Sequence, residues 1–100
     1  MKISFERTGG FAGLMLAVRL ELNSLPAEDA AALQKLVEDS DFFHLPEPDA
    51  QQGFPDGYRY TIMVEREAEQ RTVEFSEGAL PEQLRALVND LSIRARSQGR

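Results

Sequence analysis

Ile3, Phe5 and Arg7 alternate with Lys2, Ser4 and Glu6, a period of two that predicts a β-strand at the start of the chain. After a glycine-rich break, Leu14, Leu16, Val18, Leu20 and Leu22 alternate with Met15, Ala17, Arg19 and Glu21, so a second strand follows and the pair reads as a hairpin. At Leu25-Pro26 the period changes. Proline suits a helix start, Glu28 and Asp29 sit near the positive end of the dipole, and Ala30, Leu33, Leu36 and Val37 recur at helical spacing, which predicts a helix from Pro26 to Asp39.

From Ser40 to Gly57 the breakers are too dense for a regular element of useful length, and the stretch reads as a long loop anchored by Phe42, Phe43 and Leu45. Tyr58, Tyr60, Ile62 and Val64 then alternate with Arg59, Thr61, Met63 and Glu65, and Glu67-Ala68-Glu69-Gln70 makes a polar turn into Arg71, Val73 and Phe75. Leu80-Pro81 opens a second helix running to Arg96, with Leu84, Leu87, Val88 and Leu91 on one face. The order strand, strand, helix occurs twice. Leu33-Gln34-Lys35-Leu36-Val37-Glu38-Asp39 echoes Leu84-Arg85-Ala86-Leu87-Val88-Asn89-Asp90, the mark of a weak internal duplication. One strand face is apolar and the other mixed polar, so the expected class is α+β: a four-stranded antiparallel sheet with both helices on one face.

One hundred residues suit a single domain spanning 1–100. No apolar run approaches the roughly 20 residues of a membrane-spanning helix, and the start lacks the pattern of a signal peptide, so the expected location is the cytoplasm, with export by other routes left open. Without cysteine there is no disulfide framework and no thiolate chemistry. The net charge is −6, and nine acids face Lys35 alone between Glu21 and Asp56, a stretch that would repel a phosphate backbone. Nucleic acid is not an expected partner.

Local spacing offers little for catalysis. His44 is the sole histidine, so no histidine pair for zinc and no nucleophile relay can be built around it. Glu28/Asp29, Glu38/Asp39 and Glu65/Glu67/Glu69 fall at helix ends and a turn, where solvated carboxylates are ordinary. Asp39-Ser40-Asp41 lacks the glycine and glutamate of a calcium loop. Gly9-Gly10-Phe11-Ala12-Gly13 lacks the lysine ending of a phosphate loop and precedes a strand. No metal ligand, cofactor or catalytic residue is expected. What stands out is the glycine-rich turn with an aromatic tip: either Phe11 folds onto the core, or glycines flank a large apolar side chain so that the main chain enters a groove and the ring fills a pocket.

Met1-Lys2-Ile3, Arg7-Thr8-Gly9-Gly10-Phe11-Ala12-Gly13, Leu25-Pro26, Phe43-His44-Leu45-Pro46, Pro55-Asp56-Gly57-Tyr58-Arg59-Tyr60 and Leu80-Pro81-Glu82-Gln83-Leu84 together resemble the emfourin family of protealysin-inhibitor-like proteins. The resemblance covers nearly the whole chain, with Gly-Gly-Phe-Ala its most specific block. It implies a proteinaceous inhibitor of thermolysin-like (M4) zinc metallopeptidases rather than an enzyme, a monomer when free. Under that resemblance the target-binding residues are Thr8, Gly9, Gly10, Phe11, Ala12, Gly13 and Leu14, with Phe11 or Leu14 in the pocket after the scissile position. The exposed face of the first helix (Glu28, Gln34, Lys35) and the Asp56 to Tyr58 turn are alternative contacts. A non-inhibitory module docking through the sheet face or the acidic loop is the competing reading.

Overall fold

The computed structural model describes residues 1–9, 15–45, 58–76 and 80–98. The alternating segments form strands β1 (Lys2–Gly9), β2 (Leu16–Glu21), β3 (Tyr58–Arg66) and β4 (Glu69–Ser76). Helix α1 is Ala27–Asp39 and helix α2 is Arg85–Gln98. The four strands make one antiparallel sheet in the order β2-β1-β3-β4, and the expected α+β class holds. The two hairpins meet through β1 and β3, with β2 and β4 outermost, so the sheet is symmetric in its connectivity about the central pair, as the echo between the half-chains suggests.

Register places Phe5 between Val18 and Ile62, and Ile3 between Leu20 and Val64. These side chains share one face and are buried, together with Val73 and Phe75 from β4. Leu33 and Val37 of α1 and Leu87, Val88, Leu91 and Ala95 of α2 close over that face in a single core. Each large side chain so buried contributes about 1.5–3 kcal/mol relative to exposure. The opposite face is polar: Arg59 Nη2 donates to Glu74 Oε1 at 2.8 Å, and Thr61 Oγ1 to Glu74 Oε2 at 3.4 Å.

Boundaries differ from the sequence pattern where turn geometry takes over. Pro26 is the N-cap of α1 rather than its first residue, with an extended ψ of 147°. Pro81 likewise precedes a 3-10 turn, Glu82–Leu84, before α2 begins. The turn between β3 and β4 is tighter than four residues, because Arg66 pairs with Glu69 and leaves only Glu67 and Ala68 to reverse the chain. Glu67 takes φ 43° to do so, the positive φ that a two-residue hairpin loop demands. Leu22 leaves the strand phase for a 3-10 turn, Leu22–Ser24, and its N–H donates to the Met1 carbonyl at 3.0 Å.

The start of the predicted long loop is pinned as expected. Phe42 and Leu45 are buried, while Phe43 meets Phe42 edge-on and lies under the Arg66 guanidinium, 4.3 Å from its ring centroid. Arg71 Nη1 donates to the Phe42 carbonyl at 3.2 Å, tying this corner to β4. Residues 46–57 of that loop lie outside the described residues.

Candidate functional site

The glycine-rich segment is mounted on the end of β1. Pairing of β1 with β2 stops at Arg7 opposite Leu16, whereas pairing with β3 continues through Thr8 opposite Arg59 to Gly9 opposite Tyr58. Among the described residues β1 therefore extends two residues past its last pair with β2 and is paired there with β3. Gly9 adopts φ 102°, a conformation that a side chain would oppose, so glycine here is a requirement of the turn out of the strand. Gly10, Phe11, Ala12, Gly13 and Leu14 lie outside the described residues. Met15 is 63% exposed, and the described pairing of β2 with β1 begins at Leu16.

Arg7 occupies the inward phase of β1, two residues after Phe5, and is partly buried. Its guanidinium lies over the Tyr58 ring, 4.4 Å from the centroid, while Phe5 stacks with Tyr60 at 6.1 Å. An aromatic-cation clasp thus fastens the strand end that carries Thr8 and Gly9, worth about 0.5–1 kcal/mol at a partly exposed site. A charged residue in the apolar phase of a strand was the sequence signal for it.

The alternative contacts are placed differently. Glu28, Gln34 and Lys35 are exposed on α1, but Lys35 Nζ stands 3.5 Å from Asp39 and Gln34 donates to Glu38 at 3.4 Å, both pairs within one helical turn. Such surface pairs are ordinary helix decoration. Of the Asp56 to Tyr58 turn only Tyr58 is described, and it is the base of the Arg7 clasp. His44 is exposed, its Nδ1 2.8 Å from Asp41 Oδ1, so its role is local.

A second feature escaped the sequence reading. Arg7 and Tyr60 from the sheet, with Arg85, Val88, Ser92 and Arg96 from α2, line an open cavity of about 380 Å³. Among the described residues no three histidine, cysteine, aspartate or glutamate side chains are gathered as a metal would need. No helix in the described residues is long and apolar enough to cross a membrane.

Among the described residues the central strand of this small sheet-and-helix domain carries Thr8 and Gly9 two residues past its last pair with β2. The sequence profile of the Emfourin family matches residues 5–92, and the chain belongs to that family. The family is one of metallopeptidase inhibitors, and at that level the chain is an inhibitor with a peptidase as partner. No curated protein and no solved structure matches the chain.

Proposed function

We propose that this protein inhibits a thermolysin-like (M4) zinc metallopeptidase by inserting the segment Thr8 to Leu14 into the catalytic cleft. The observation that carries the proposal, beyond family membership, is the projection of Thr8 and Gly9 past β2 on a strand fastened by the Arg7–Tyr58 clasp. A thermolysin-like enzyme cleaves before bulky apolar residues and brings its own zinc, so an inhibitor must supply an extended backbone and a large apolar side chain, and no metal ligand. Phe11, or Leu14 beside it, fills the pocket after the scissile position, and a neighbouring main-chain carbonyl faces the zinc. Anchoring both ends of the segment on β1 and β2 lowers the ordering cost of binding and keeps the ends of a cut peptide together. The free protein acts as a monomer.

The test is titration of a thermolysin-like zinc peptidase with the purified protein, a serine peptidase serving as control. Stoichiometric loss of metallopeptidase activity alone is the expected result, and Phe11→Ala should weaken inhibition by about 2 kcal/mol or more, as for a central hot-spot aromatic. Unchanged inhibition by Phe11→Ala would remove the segment from the mechanism.

A further inference from the structure

Four of the eleven lysines and arginines of this acidic chain pair with its own acids among the described residues. Lys35 meets Asp39, Arg59 meets Glu74, Arg66 meets Glu69 and Phe43, and Arg94 meets Asp90 and Asp29. Among the described residues Arg7, Arg85 and Arg96, like Lys2, Arg19 and Arg71, have no carboxylate within salt-bridge distance, and these three, with Arg7 also over the Tyr58 ring, line one cavity. Three like charges thus border one cavity in a protein of net charge −6. The cavity is open, and Tyr60, Val88 and Ser92 at its base are buried residues.

We infer that this cavity binds the carboxylates of an acidic segment on a partner protein, and, resting on the inhibitor reading above, that the partner is the target peptidase. Arg85, Ser92 and Arg96 follow one stripe of α2, at spacings of seven and four residues, with Arg7 beside them. At 1.5 Å per residue the two helix arginines are anchored about 16 Å apart. Carboxylates spaced along an extended acidic segment can meet both. The planar arginine forks suit carboxylates in paired hydrogen bonds. Position supports the same partner, since Arg7 immediately precedes Thr8 and Gly9: a peptidase held at the projecting end of β1 has the cavity at its margin.

The direct test follows the Nε–H resonances of the arginines in the labelled full-length protein during titration with a hexaglutamate peptide at low ionic strength. Arg7, Arg85 and Arg96 should shift saturably and Arg19 and Arg59 should not, and the double variant Arg85→Gln/Arg96→Gln, whose changed side chains are both exposed, should bind about tenfold more weakly. Absence of shifts, equal shifts at all arginines, or equal saturation by inorganic phosphate or a single-stranded oligonucleotide would overturn the site. In a separate arm the double variant should associate with the peptidase about tenfold more slowly at low salt, with a flattened salt dependence. Inhibition by the wild type with an identical rate and salt slope for the variant would overturn the peptidase contact while sparing the inhibitor reading. Hexaglutamate binding without inhibition of any thermolysin-like enzyme would uphold the cavity and sink the inhibitor reading.

Discussion

The Arg7 guanidinium covers the ring of Tyr58 at 4.4 Å, and Tyr58 is itself the ladder partner of Gly9, so one residue pair fastens the end of β1 to the start of β3. Replacing Arg7 by Leu keeps the stem's packing and removes the cation over the ring. The expected loss of stability is about 0.5–1 kcal/mol by urea denaturation, and Tyr58→Phe, which keeps the ring face, should be close to wild type. Weakening of peptidase inhibition beyond that stability loss would assign Arg7 to the interface as well.

Gly9 is the most sensitive single position at the strand end. Its φ of 102° is costly for any residue with a Cβ, so Gly9→Ala should destabilise by about 1–2 kcal/mol or pull the segment into a new path. Thermal unfolding and peptidase titration of the same variant separate these outcomes: a lowered midpoint with intact inhibition indicates strain alone.

Helix α1 ends on a fully buried serine. Ser40 Oγ donates to the Val37 carbonyl at 2.8 Å, its N–H bonds the Leu36 carbonyl at 3.1 Å, and Asp41 follows at φ 54° and ψ 46° to turn the chain out of the helix. Ser40→Ala leaves a buried carbonyl short of a donor and should cost about 1–3 kcal/mol in chemical denaturation. A change within experimental error would mean that water supplies the missing bond.

Arg94 joins the two helices, with Nε on Asp90 of its own helix and Nη2 3.5 Å from Asp29 of α1. Burial disfavours its charge, but the hydrogen bond and attraction of Asp90, with Asp29 in support, outweigh that and hold the guanidinium above its ordinary value. A folded-state value raised above the unfolded one contributes stability that is complete below the unfolded value and lost only as pH rises through the arginine range. Between pH 7 and 10 the Arg94 contribution should therefore be flat. Arg94→Met should cost about 1–2 kcal/mol, and the gap from wild type, measured by urea denaturation, should not change across that window.

The alternation of Ile3, Phe5 and Arg7 and the helical spacing of Leu84, Leu87, Val88 and Leu91 made the elements, their order and the buried face legible, because a side chain's direction repeats with local backbone geometry. The glycine block was legible too, and Gly9 shows why one of its glycines is needed. Turn details were not: Glu67 at positive φ follows from the ladder closing at Arg66 and Glu69, which a polar run of four does not reveal. Nor does any local pattern say that β1 pairs with β3, since that contact forms only when the two half-chains meet. The same meeting brings Arg7, near the start of the chain, against Arg85 and Arg96, near its end. Periodicity determined which way each of these residues faces along its own element; only the packing of α2 across the sheet decided that three arginines share one cavity, because charges distant in sequence become neighbours through the core that lies between them.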